Sequence, residues 1–333
     1  MSAPSSIIFG AGSWGTALAV HLANAGHSAR LWGRDIDLVA AMRSQRRNET
    51  YLPGIDLPRL LEPVSEIDAA ADARFAVFAV PSHGLRAVAK SAALVLAPGA
   101  IVISATKGLE EGSLDRMSQV LAEELPGHPV VALSGPSFAL ELARKQPTAI
   151  VAASSDADAA AAVQEEFRTR YLRLYGSDDV IGVEMGGALK NVIAIAAGVV
   201  EGIGFGHNAL AGLITRGLAE ISRLSVAAGG RRDTLAGLSG LGDLVLTCTG
   251  ALSRNRHVGI ELGRGRSLED VLGPMKMVAE GVRTASAALA LGERHGVELP
   301  IASQMADVMA GRRTPAEALE ELMVRRQRHE TDR

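Results

Sequence analysis

Residues 7–15 read Ile-Ile-Phe-Gly-Ala-Gly-Ser-Trp-Gly. A short apolar run ends in a Gly-x-Gly-x-x-Gly made by Gly10, Gly12 and Gly15, and a helical pattern follows from Thr16 to Asn24. That order spells a buried strand, a tight turn and a helix start. Glycine at 10 permits the turn, at 12 lets the backbone approach a pyrophosphate, and at 15 lets the helix pack close to the strand. The N–H groups at the helix start and the helix dipole favour a diphosphate. A triplet of glycines by itself is also the pattern of a turn with no ligand. The strand before it and the helix after it make a dinucleotide site the stronger reading.

The rest of the first half keeps the same alternation. Strands are expected at Ser6–Phe9, Ala29–Trp32, Phe75–Val80, Ala100–Ser104, Pro129–Leu133, Ala149–Ala153 and Tyr171–Tyr175, with helices between them such as Gly84–Leu96 and Leu114–Glu124. Strands alternating with helices imply an α/β fold with a mostly parallel, doubly wound sheet of the Rossmann type. Past Asp178 the pattern turns helical: long apolar helices are expected over Glu184–Glu201 and Ala209–Ala228, then shorter ones to Met323. The expected organisation is a dinucleotide-binding domain over 1–178 and an all-helical substrate and catalytic domain over 179–333.

The chain has 333 residues, 47% hydrophobic, 21% charged and 3% aromatic, with a formal net charge of −3. This suits an alanine- and valine-rich α/β enzyme and gives no electrostatic argument for nucleic acid or an anionic membrane. Cys248 is the sole cysteine, so no intrachain disulfide forms and a reducing compartment is expected. The first residues lack the basic region of a signal peptide, and no apolar run is read as reaching the about 20 residues of a membrane helix. A cytoplasmic protein without membrane insertion is the expectation.

Ligands in such sheets bind beyond the carboxyl ends of the strands, so the residues there carry the chemistry. Arg34 follows the second strand, where an acid would bind the ribose hydroxyls of NAD; its planar fork suits the 2′-phosphate of NADP. Asp35 leaves NAD open as well. Lys107 follows a buried strand and can hold an anion or polarise a carbonyl, or be an ordinary loop lysine. Ser137, taken alone, reads as a helix cap. Lys190 and Asn191 interrupt an otherwise apolar helix, which costs stability unless they reach a polar cleft. A partly buried lysine has a lowered pKa that suits proton transfer near neutrality. Asp243 follows a glycine cluster read as flexible and can orient that lysine or accept from a substrate hydroxyl. Ser253 or a neighbour starts a helix with Arg254 and Asn255 in its first turn, a phosphate-type site or plain capping. Cys248 reads as a packed thiol. No metal site is read.

The chain resembles the NAD(P)-dependent glycerol-3-phosphate dehydrogenases of the bacterial biosynthetic type. The likeness rests on Gly-Ala-Gly-Ser-Trp-Gly-Thr-Ala-Leu-Ala (10–19), Ala-Thr-Lys-Gly-Leu (105–109), Ser-Gly-Pro-Ser-Phe-Ala (134–139), Gly-Gly-Ala-Leu-Lys-Asn-Val-Ile-Ala-Ile (186–195), Gly-Leu-Gly-Asp-Leu-Val-Leu-Thr-Cys-Thr (240–249), Ser-Arg-Asn-Arg (253–256) and Val-Ala-Glu-Gly (278–281). It implies reduction of dihydroxyacetone phosphate to sn-glycerol 3-phosphate with NADP(H) or NAD(H), supplying phospholipid synthesis, and a helical domain like the C-terminal one of 6-phosphogluconate dehydrogenase. By the same resemblance Ser13, Trp14, Arg34, Tyr51, Lys107, Ala139, Arg254, Val278 and Glu280 line the cofactor, with Gly10, Gly12 and Gly15. Lys107, Gly135, Ser137, Lys190, Asp243, Ser253, Arg254 and Asn255 contact substrate, and Lys190 protonates the carbonyl oxygen. A homodimer is expected from the family. The rivals are a related dehydrogenase of 2-keto or 3-hydroxy acids, whose substrates end in a carboxylate, and a non-catalytic NADP sensor, which would not need Lys190 and Asp243.

Overall fold

The apolar run before the glycines forms β1 (Ser6–Phe9), buried along its whole length. A strand covered on both faces reads as a continuous apolar run. Ile7 and Phe9 enter one core cluster and Ile8 the other, since successive strand side chains point to opposite faces. The computed structural model describes residues 6–275, 279–327 and 329. These divide into two compact units, residues 6–107 with 115–183, and residues 108–114 with those from 184 on.

The first unit adds β2 (Ala29–Trp32), β3 (Leu61–Val64), β4 (Phe75–Phe78), β5 (Ile101–Ser104), β6 (Val130–Ser134), β7 (Thr148–Ala153) and β8 (Leu172–Ser177). Their order across one sheet is β3-β2-β1-β4-β5-β6-β7-β8. Adjacent strands are parallel except β6 and β7. The helices of this unit are α1 (Ser13–Asn24), α2 (Ile36–Gln45), α3 (Leu85–Ala93), α4 (Met117–Glu124), α5 (Ala139–Ala143) and α6 (Ala157–Phe167). Leu18 and Leu22 of α1 and Val163 and Phe167 of α6 pack with Ile8 on one face; Leu85 and Ala89 of α3 and Val120 and Leu121 of α4 pack with Ile7 and Phe9 on the other. This is the doubly wound sheet that the alternation implies. The strand order reverses beside β1, so the crevice for a ligand lies beyond the carboxyl ends of β1 and β4.

β3 was not anticipated. Its sequence, Leu-Glu-Pro-Val, carries a proline that lacks a ladder donor, and such a residue is tolerated because β3 is an edge strand.

The second unit is helical: α7 (Val180–Ile203, belonging to it from Glu184), α8 (His207–Ala227), α9 (Arg232–Leu235), α10 (Asp243–Thr249), α11 (Arg254–Gly263), α12 (Leu268–Leu272), α13 (Glu280–His295), α14 (Pro300–Met309) and α15 (Pro315–Met323). No strand follows Ser177 among the described residues. The helix α7 corrects the reading of the apolar runs. It has 24 residues and a window of mean hydropathy 1.5, long and apolar enough to cross a membrane, but 83% of that window is buried within the fold. It is a core helix. Gly198 and Gly202 of α7 meet Gly259 and Gly263 of α11: a Cβ on any of them would lie 1.9–2.6 Å from a carbonyl oxygen of the facing helix. The two backbones touch directly, which only glycine permits.

Candidate active site

At the end of β1 the backbone itself explains the glycines. Gly10 takes φ +117°, and a Cβ on it would sit 2.7 Å from the Ala79 carbonyl oxygen. A Cβ on Gly15 would sit 1.9 Å from the carbonyl oxygen of Gly10. Gly12 differs, since a Cβ there meets no protein atom within 4 Å. It begins α1 without a side-chain cap, and the first turn, which holds Ser13 and Trp14, carries no acid. The start of α1 therefore presents backbone donors and the positive end of the helix dipole over open space. These residues fit the diphosphate of a dinucleotide.

Gly10 N donates to Trp32 O at 2.9 Å, so the chain leaving β2 runs beside the glycine loop. Arg34 is exposed there. Asp35 Oδ1 accepts from Asp37 N and Leu38 N at 3.0 and 3.1 Å and caps α2. Tyr51 is half-buried, and its N–H donates to Asn48 Oδ1 at 3.1 Å. Asn48 is fully buried; its Nδ2 donates to Ala11 O at 2.9 Å and Thr16 Oγ1 at 2.8 Å. Sequence reasoning missed it, because an asparagine between Arg47 and Glu49 carries no local signal.

At the ends of β5 and β6 three of the expected residues converge. Thr106 Oγ1 lies 3.2 Å from Phe78 O and 2.8 Å from Val80 O, tying the end of β5 to that of β4. The next residue, Lys107, donates through Nζ to Gly135 O at 3.1 Å. Ser137 Oγ donates to the same oxygen at 2.9 Å. Ser137 is thus not a helix cap: Phe138 precedes α5, and no side chain caps it. Gly135 takes φ +135°, and a Cβ there would press on Ile150 Cα at 3.0 Å in the antiparallel neighbour β7. Ala139 opens α5, half-buried against the sheet core.

In the second unit the glycine cluster is closely packed rather than flexible. Leu238–Gly242 forms a π-helical turn leading into α10. A Cβ on Gly240 would lie 2.1 Å from Leu235 O, and one on Gly186 of α7 would lie 2.5 Å from Ser239 O. Gly186 stands one helical turn before Lys190 on the same face. The close approach there brings Asp243, the first residue of α10, to Lys190. Lys190 is 6% exposed and Asp243 1%. Lys190 Nζ donates to Asp243 Oδ1 and, at 2.9 Å, to Thr247 Oγ1. Thr247 Oγ1 in turn donates to the Asp243 carbonyl at 2.6 Å. The carboxylate balances an ammonium that burial alone would disfavour.

Ser253 caps α11, accepting from Arg256 N at 3.2 Å. Asn255 is buried and joins three helices: its Nδ2 donates to Asn191 Oδ1 of α7 at 3.0 Å, and its Oδ1 accepts from Gly281 N of α13 at 3.0 Å. Arg254 is exposed at the start of α11, within electrostatic reach of Glu280 at the start of α13. Val278 lies outside the described residues. Cys248 is buried, and desolvation pushes its thiol up to about 12.

Two family models match the chain: the NAD-dependent glycerol-3-phosphate dehydrogenase N-terminus over residues 6–160 and the C-terminus over 179–320. Among curated proteins, a glycerol-3-phosphate dehydrogenase [NAD(P)+] of Desulfitobacterium hafniense is 50% identical over 276 residues, 83% of this chain and 78% of that protein. One of Syntrophotalea carbinolica is 52% identical over 280 residues, covering 83% and 84%. The crystal structure of glycerol-3-phosphate dehydrogenase from Coxiella burnetii superposes with a TM-score of 0.93 at 38% identity, over 96% of this chain and 98% of that one. A ketopantoate reductase from Ralstonia eutropha, 18% identical over 94% of this chain and 99% of its own with a TM-score of 0.61, shares the fold alone.

Proposed function

The chain belongs to the NAD-dependent glycerol-3-phosphate dehydrogenase family, and we propose that it reduces dihydroxyacetone phosphate to sn-glycerol 3-phosphate for glycerophospholipid synthesis. The observation that carries this reading is the buried Lys190 held by Asp243 and Thr247. Bound NAD(P)H supplies the hydride. Reduction of a ketone develops negative charge on its oxygen. The Lys190 ammonium stabilises that charge and then donates the proton. Asp243 and Thr247 aim the ammonium, so little reorganisation is needed as the charge appears.

Gly10, Gly12 and Gly15 with Ser13 and Trp14 would hold the diphosphate and nicotinamide side of the cofactor, and Arg34 a 2′-phosphate; the family resemblance would add Tyr51, Ala139, Arg254, Val278 and Glu280 to its contacts. Ser253, Arg254 and Asn255 at the start of α11 would hold the substrate phosphate, because helix N-termini and guanidinium groups both favour that anion. Lys107, Gly135 and Ser137, which meet at one carbonyl, would contact the substrate as well. The same reading assigns the cofactor domain to 1–178 and the catalytic domain to 179–333. It makes the protein a cytoplasmic homodimer with no nucleic acid and no membrane insertion.

The test is the initial rate of NADPH oxidation with dihydroxyacetone phosphate, beside NADH and beside unphosphorylated dihydroxyacetone. Turnover that requires the phosphate is expected. Tight NADPH binding without turnover would instead favour a carboxylate substrate or a sensor.

A further inference from the structure

The segment from residue 46 to 60, between α2 and β3, is anchored at several points. Arg46 sits in the left-handed region at φ 53°, and its Nη2 donates to the carbonyls of Leu57, Pro58 and Leu61 at 3.1, 2.6 and 2.9 Å. Arg47 forms a bridge with Asp56, and its Nε reaches Asp56 Oδ1 at 2.6 Å. Leu52 and Leu57 are buried in the sheet core. With the segment held in these ways, Asn48 points inward for a different purpose. Both of its amide hydrogens are taken, one by Ala11 O and one by Thr16 Oγ1, and its oxygen accepts from Tyr51 N.

We propose that Asn48 is a positioning residue of the dinucleotide site, locking the glycine loop, the first turns of α1 and Tyr51 into one arrangement. The proposal rests on the NAD(P)H reading above. Ala11 lies between Gly10 and Gly12, where a carbonyl turned toward the diphosphate would oppose its charge. The bond from Asn48, 0% exposed, holds that carbonyl toward the interior and leaves the N–H groups at the start of α1 to face the anion. The bond to Thr16 fixes α1 to the same point, and the bond from Tyr51 N sets where the tyrosine stands. An aspartate at 48 keeps the size and the acceptor for Tyr51 but loses both donors. It also brings a negative charge to the floor of an anion site.

The experiment measures the NADPH dissociation constant by fluorescence titration for the full chain and its Asn48→Ala, Asn48→Asp and Thr16→Val variants. The melting temperature, the KM for dihydroxyacetone phosphate and kcat at saturating NADPH are measured alongside. The expected result is NADPH binding weakened roughly tenfold in Asn48→Ala, more in Asn48→Asp and roughly threefold in Thr16→Val, because lost hydrogen bonds of this kind cost about one factor of ten or less each. The KM for dihydroxyacetone phosphate and kcat stay near those of the parent. A role confined to folding predicts the opposite split: lower melting temperatures with the dissociation constant unchanged. That outcome in Asn48→Ala and Thr16→Val overturns the proposal. A parent chain that fails to bind NADPH overturns the dinucleotide reading instead.

Discussion

At the scale of single residues the proposed chemistry rests on one ammonium held from two sides. Lys190→Ala is expected to lower kcat by roughly 10³-fold, within the range for loss of a general acid, while the NADPH dissociation constant stays near the parent value. Steady-state rates and a fluorescence titration check both halves, and a fully active variant would remove Lys190 from the mechanism. Thr247→Val removes one of the two partners of the ammonium and should cost kcat roughly tenfold. Cys248, pushed up to about 12 by burial, should resist a disulfide reagent at pH 8 until the chain is denatured. Gly10, Gly15 and Lys190 were legible because each breaks a local rule: a glycine where a Cβ has no room, a charge inside an apolar run. Asn48 and Ser137 were not. Asn48 acts on Ala11 and Thr16, more than thirty positions away along the chain, and Ser137 bonds back to Gly135 in place of the cap its position suggested. Asp35 shows the reverse case, a local capping preference of an aspartate before a helix that the structure bears out.

Among elements, the packing of α7 on α11 sets where Lys190 and Arg254 stand, and glycine alone makes it possible. Gly198→Ala or Gly259→Ala places a methyl 2.0 or 1.9 Å from a facing carbonyl oxygen, and should destabilise the fold by about 3 kcal/mol through overpacking. Gly212 supplies the control: it lies within α8, and a Cβ there meets nothing within 4 Å. Gly212→Ala should stabilise by about 0.5–1 kcal/mol from helix propensity. Urea denaturation of the three variants separates the two effects. The capping of α14 gives a pH-dependent case. Glu220 of α8 is buried and accepts from Ile301 N and Ala302 N at 2.9 and 3.0 Å. Burial outweighs those two bonds and raises its carboxyl from 4.5 to about 7. A carboxyl whose pKa is raised in the fold contributes stability fully below its unfolded value and loses that contribution as pH rises through the folded one. Relative to Glu220→Gln, the parent should therefore lose stability between pH 4.5 and 7, and melting temperatures at pH 5 and 8 measure the gap. An unchanged gap would mean the group does not titrate in this window. None of this was legible, because a glutamate on a helix face looks the same whether it meets water or another helix end.

Across the whole molecule, both architectures could be read from periodicity, since a strand buried on two faces and a helix with an apolar stripe leave different spacings. The failures lie where composition and position disagree. The edge strand β3 is masked by its proline, and α7 is apolar enough for a membrane yet interrupted by Lys190 and Asn191, which made its run look short. The division into a sheet unit and a helical unit also separates the two proposed anion sites in sequence, and hydrogen exchange can locate each ligand by itself. NADPH should slow exchange at the amides around residues 10–16 and 46–52, where the glycine loop and Asn48 lie. Glycerol phosphate should slow exchange at the start of α11, around Ser253–Arg256, since those amides sit at the capped helix end beside Arg254. That second footprint should survive in Lys190→Ala, because the proposal puts holding the phosphate and protonating the oxygen on separate helices. Protection by glycerol phosphate that leaves α11 untouched would move the phosphate site away from Arg254, and with it the argument that the substrate is a phosphate ester held at this helix end.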